Sequence, residues 1–174
     1  MTDLANSLLA GFRTAHFNVG VQLGDLENAD AVRRARGDSG SSISWIVGHL
    51  LSARCQAIQA CGIDYADPYE EKFSFQSPAT DGSDYQDIAD LRAVWDVTHE
   101  KLCEAISQLT DEQLLGESTL PSPHGDSSLL GALSFTAWHE AYHSGVIGLL
   151  RVQWGLRHTH VVAMEAMGMV RGAT

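Results

Sequence analysis

At 174 residues, with 44% apolar and 19% charged side chains, the chain has the composition of a soluble globular protein and the length for one domain, residues 1–174. Its 22 acidic residues against 11 basic ones leave a net charge of −11. That balance excludes nucleic acid and anionic membrane as partners, because both select basic patches.

The predicted elements, in chain order, are almost all helical. Leu4, Leu8, Leu9, Phe12, His16, Val19 and Leu23 recur at helical spacing, which predicts a first long helix over residues 3–23. Gly24 and Asp25 interrupt it, and a short helical piece through Val32 follows. Arg33, Arg34 and Arg36 are the only basic cluster and read as a solvated helix end beside Asp30 and Asp38. Gly37-Asp-Ser-Gly-Ser-Ser is a loop whose serines suit the cap of a second helix through about Ala60, ended by Gly62. Residues 62–84, with Pro68, Pro78 and Gly82, show neither period and read as a long connection. A third helix is expected from about Tyr85 to Gln108, capped by Ser83 or Asp84. Thr110-Asp-Glu-Gln113 matches a capping box for a short helix ending near Gly116. Pro121-Ser-Pro-His-Gly-Asp is loop again, and Ser127 or Ser128 starts a fourth helix through Trp154 with Gly155 just beyond it. Strand signals are scarce. Four long helices with two long connections predict an all-α four-helix bundle, an architecture that builds metal sites from facing helices.

Cys55, Cys61 and Cys103 are odd in number and hold no Cys-x-x-Cys, so neither a disulfide framework nor a cysteine zinc knuckle is indicated. The opening Met1-Thr-Asp-Leu-Ala-Asn lacks a basic n-region followed by an apolar h-region, and no apolar run approaches roughly 18 residues. A reduced, cytoplasmic protein is the expectation.

Chemistry concentrates in His139-Glu-Ala-Tyr-His143. Residues i and i+4 share a helix face, so both rings can hold one ion. Ala132, Phe135, Thr136, Val146 and Leu150 make that face apolar, and two histidines buried there need partners. One divalent ion would satisfy both; separate carbonyls or carboxylates are the structural alternative. His49 lies on the stripe of Ile46, Leu50 and Ala53 and could supply a third nitrogen, while a core role is the alternative for it too. His16, His99 and His124 are weaker candidates without a paired spacing, and His158 and His160 are expected to be exposed. The same five residues satisfy His-Glu-x-x-His, the zinc-protease pattern with Glu140 as general base and Glu165 at a plausible distance for a third ligand. The missing strands count against it, as do Val146 and Leu149 where the longer motif needs Gly and His.

Trp138-His-Glu-Ala-Tyr-His-Ser-Gly-Val-Ile-Gly-Leu-Leu-Arg151, together with Ser44-Trp-Ile-Val-Gly-His-Leu50, resembles the DinB/YfiT-like superfamily, and the resemblance covers most of the chain in helix order. It implies a four-helix bundle whose divalent metal is held by His49 from the second helix and by His139 and His143 from the last. Val146 stands where the family often has Gln. The resemblance implies a metal-dependent enzyme acting on a small molecule, either a thiol S-transferase using a low-molecular-weight thiol cofactor or a hydrolase. A bundle whose metal only braces the core, or that binds a ligand without turnover, is the alternative. Three imidazoles suit a divalent transition metal, zinc or nickel foremost, with cobalt, copper and iron(II) also served. Glu140, Asp96 and Glu100 are candidate acceptors for the ligands' other ring nitrogens, and Trp45, Trp95 and Phe135 candidate cavity aromatics. Apolar residues in 62–84 and in the tail (Val161, Val162, Met164, Met167, Met169) predict a homodimer.

Overall fold

The computed structural model describes residues 1–74, 76–123 and 125–169, and among them every regular element is a helix. These are α1 (Asp3–Leu23), α2 (Asn28–Ala31), α3 (Ile43–Ala60), α4 (Glu70–Phe73), α5 (Ile88–Ser107), α6 (Asp111–Leu115), α7 (Leu129–Gln153) and α8 (Thr159–Ala166). The four long ones, α1, α3, α5 and α7, carry the fold. α1 packs on α5 and α7, and α3 packs on the same two from the other side. Among the described residues no helix is long and apolar enough to cross a membrane.

Side-chain caps fix where these helices begin. Thr2, Ser42 and Ser128 each accept a hydrogen bond from a backbone N–H in the first turn of α1, α3 and α7. Thr110 and Gln113 form the reciprocal capping box expected of them at α6. Gly62 and Gly155 hold φ of +86° and +73°, the left-handed stop that favours glycine after α3 and α7.

Two expectations need correction. The third long helix starts at Ile88 rather than Tyr85, and neither Ser83 nor Asp84 caps it. Ser83 is instead held in a turn by Asp81, whose Oδ1 accepts from the Ser83 backbone N–H at 3.0 Å. Arg34 and Arg36 sit past α2 in a tight turn bridged between Arg34 and Gly37 and between Arg36 and Ser39, while Arg33 stays at the α2 end, its guanidinium 3.1 Å from Asp30. The tail after Gly155 folds into α8. There the exposed His158 accepts from the His160 N–H as N-cap, and Val162 turns inward.

The long connection 62–84 is tied to α3 and places Tyr69 and Phe73 in the core. Ser52 donates to Asp67 Oδ2 at 2.6 Å, and Asp67 Oδ1 accepts from the Tyr69 N–H at 2.9 Å. Tyr69 and Phe73 are then buried, each contributing roughly 1.5–3 kcal/mol of apolar transfer. Phe73 lies flat on Gly48, where a Cβ would stand 2.6 Å from its ring. Only glycine admits that approach. The contact brings the Phe73 backbone beside His49, the next residue of α3.

Candidate metal centre

α3 and α7 run side by side, and their inward faces bring three imidazoles together. His49 Nε2 lies 3.3 Å from His139 Nε2, which lies 3.0 Å from His143 Nε2. The three rings are nearly perpendicular to one another, at 85°, 74° and 85°, so they meet tip to tip rather than stacking. Among the described residues this is the one group of three or more ligand-type side chains within 4.8 Å of each other.

Hydrogen-bond bookkeeping shows what the cluster lacks. His49 Nδ1 sits 2.9 Å from the Phe73 carbonyl. A carbonyl only accepts, so Nδ1 carries the proton of that bond, and Nε2 is the nitrogen turned toward His139. Burial keeps the other two rings neutral: desolvation lowers His139 to about 4 and His143 to about 3, helped by the neighbouring imidazoles. Three imidazoles that converge at their Nε2 atoms cannot all be satisfied by one another's protons. A divalent ion accepts all three lone pairs at once. Tetrahedral zinc with bonds of about 2.0–2.1 Å would hold its nitrogens roughly 3.3 Å apart, close to the spacings seen. The donor set therefore fits a metal.

Aromatic neighbours hold the rings in place. Trp45 stacks on His49 at 5.1 Å and 10°, and Phe135 stacks on His139 at 5.9 Å and 15°, each one helical turn ahead of its histidine. Tyr142 meets His143 edge-on at 5.0 Å. A cavity of about 720 Å³ opens onto His49 and His139, walled by Ser52, Gln56 and Thr136 on the polar side and by Phe135, Leu120 and Pro121 on the apolar side. Glu70 is the sole charged residue among its described lining residues.

Glu140 turns away from this centre. It is fully buried and grips Arg54, also fully buried, through two contacts of 2.6 and 3.0 Å. Arg54 lies 3.2 Å above the Trp95 ring and donates to the Trp95 carbonyl at 2.8 Å. Burial pushes the Glu140 carboxyl up from its ordinary value while Arg54 pulls it back. Both oxygens are engaged, so Glu140 serves neither as a general base nor as an acceptor for a ligand ring. Glu165 is likewise committed, to Arg157. The zinc-protease reading loses its base and its third ligand together.

The remaining candidates separate from the centre. His16 and His99 stack on each other at 3.8 Å between α1 and α5, with Asp96 3.6 Å from His16. His124 lies outside the described residues. Trp95 is a core residue with no exposed surface and is not among the residues that line the cavity beside His49 and His139. Arg54 and the Phe73 carbonyl escaped the sequence reading. Arg54 had left a signal, a charge inside the apolar run of α3 that requires a buried counter-ion; a backbone carbonyl leaves none.

A family model described as the DinB superfamily matches residues 22–147, a span that includes all three histidines. A search of curated proteins finds no match.

Proposed function

From a chain that belongs to the DinB superfamily, we propose a metal-dependent enzyme that binds one divalent transition metal through His49, His139 and His143 and transfers a small thiol to an electrophilic substrate. The observation that carries this reading is the convergence of three imidazoles, two of which, His49 and His139, line an open cavity. Zinc and nickel suit the all-nitrogen set best. When bound, such a cation supplies Lewis acidity and lowers the pKa of a coordinating thiol or water.

The chain's own residues do the rest. His49 is oriented by the Phe73 carbonyl, and His139 by Phe135, so the ligands are set before the ion arrives. Ser52, Gln56 and Thr136 offer hydrogen bonds to a polar thiol or substrate, and Phe135 with residues 120–123 covers its apolar part. Thiol transfer is preferred over hydrolysis on the family resemblance, because a bound cation would lower the pKa of a thiol and of a water alike. An open cavity above the ligands favours catalysis over a metal that only braces the core. The free thiols of Cys55, Cys61 and Cys103 suit a reducing cytoplasm.

Elemental analysis of gently purified wild type and His49→Ala tests the first half. About one metal per chain, lost in a variant that stays helical, is expected. A metal-free wild type that also refuses zinc and nickel on reconstitution would overturn the centre. Incubating the loaded protein with a panel of low-molecular-weight thiols and a chromogenic electrophile tests the second half. Turnover that ignores the thiol would move the assignment to hydrolysis.

A further inference from the structure

We propose that the outer face of α7 is the interface of a homodimer, two copies crossing antiparallel about a twofold axis at Gly145. α7 has no charged outer face. Its only charged residues are Glu140 and Arg151, and both are buried. Every exposed position is uncharged, and five of them, Trp138, Tyr142, Gly145, Leu149 and Val152, form one stripe at alternating spacings of four and three, with Ala141 beside it. Leu149 is 65% exposed, Trp138 57% and Tyr142 54%. A helix that is apolar on all sides belongs in an interior. α1 and α3 cover two sides of α7, and the third stands open.

α5 provides the control within the same molecule. Its exposed positions include Asp90, Arg92, Asp96, Glu100 and Glu104, the charged outer face expected of a helix against water.

Gly145 adds a second observation. A glycine in mid-helix weakens the helix relative to alanine, so it calls for a reason. Its φ is not positive, and a Cβ built there meets nothing within 4 Å. Nothing among the described residues requires it. The close approach of another helix backbone does, and Gly145 lies at the centre of the stripe. A twofold axis there sets Trp138 against the partner subunit's Val152 and Ala141 against the partner subunit's Leu149, large against small on both sides.

Charge and area select a second copy as the occupant. At a net charge of −11, two copies repel wherever their charged faces meet, and a contact free of charge is the one that avoids it. A basic or acidic partner would have left its complement on this face. The uncharged surface continues over the groove between α1 and α7, of about 770 Å³, onto Ser7, Ala10, Gly11 and Thr14. Two helices roughly 30 Å long and 9 Å apart present about 600 Å² in projection. Side-chain relief brings that near the roughly 800 Å² each partner buries in a standard interface.

Sedimentation equilibrium of the full chain tests the proposal. Wild type is expected to be a dimer at tens of micromolar, and Leu149→Glu a monomer with unchanged helix content. Val97→Glu, an equally exposed site on α5, should leave the dimer intact. In a Cys61→Ser, Cys103→Ser background, Gly145→Cys should form a disulfide-linked dimer under mild oxidation, since only an axis at that residue brings the two sulfurs into reach. A monomeric wild type would give the face to some other partner and overturn the proposal. A dimer indifferent to Leu149→Glu, or one that forms without the Gly145→Cys cross-link, would overturn it as well.

Discussion

Removing Glu140 should unfold the protein before it affects any chemistry. Glu140→Ala leaves Arg54 charged, fully buried and facing an empty space where two contacts of 2.6 and 3.0 Å had been. Breaking a buried pair from one side costs about 3–5 kcal/mol. The low end is the better estimate only if water enters the cavity, and the Trp95 ring over the guanidinium leaves little room for it. In a chain of this length, that loss lowers the melting temperature by roughly 6–20 °C. Arg54→Met alone should cost a similar amount by stranding the carboxylate. The double replacement Arg54→Met, Glu140→Leu removes both charges together and should recover most of the loss. Thermal and urea unfolding of the four proteins gives the cycle, and a coupling of at least about 2 kcal/mol is expected. The reasoning fails if Glu140→Ala melts within a degree or two of wild type. It fails equally if Glu140→Gln keeps full stability yet abolishes turnover, because that is the behaviour of a catalytic base.

Gly48→Ala pushes a methyl group to 2.6 Å from the Phe73 ring, and overpacking of this kind costs about 1–3 kcal/mol. Because the Phe73 carbonyl orients His49, zinc affinity measured by chelator competition should also fall about 10–100-fold; an unchanged affinity would detach that carbonyl from the centre. The stacked pair away from the centre predicts a pH dependence. Desolvation lowers His16 to about 4 and His99 to about 3, against 6.5 for an unperturbed ring. The unfolded chain therefore binds more protons across that window, so the stability these rings allow is complete above about pH 6.5 and drains away as pH falls toward 3. His99→Gln should flatten the stability profile below about pH 6.5, and an unaltered slope would show that His99 does not titrate there.

How much of this was legible in the sequence depends on the range of the interaction. The long helices were readable because their apolar stripes and caps are local: Ser42, Thr110 and Ser128 act within three residues of themselves. The start of α5 was misread because Ser83 has a better local partner in Asp81 than the helix could offer. α8 was missed because eight residues carry too little periodicity to stand out. His139 and His143 announced themselves by spacing. His49 needed the knowledge that α3 and α7 are neighbours, which came from resemblance and not from any local rule. The aromatics of 62–84 suggested an exposed surface, yet Tyr69 and Phe73 are buried, since Asp67 folds that segment back onto Ser52.

The pattern His-Glu-x-x-His shows why spacing constrains a site without settling its chemistry. On a helix the residue after the first histidine points about 100° around the axis from it. What it meets there is decided by the neighbouring helix. α3 carries both His49 and, five residues on, Arg54, so the same two helices that bring the imidazoles together also bring Glu140 to a guanidinium. The two contacts are coupled by geometry. Sliding α7 by one turn along α3 would move it about 5.4 Å, parting the ion pair and the nitrogens in a single step. Aliphatic neighbours such as Leu50 and Ile147 tolerate that slide, because one apolar contact replaces another. A buried charge does not, because no second partner waits one turn away. The carboxylate that a protease would spend on activating water is spent here on holding two helices in register.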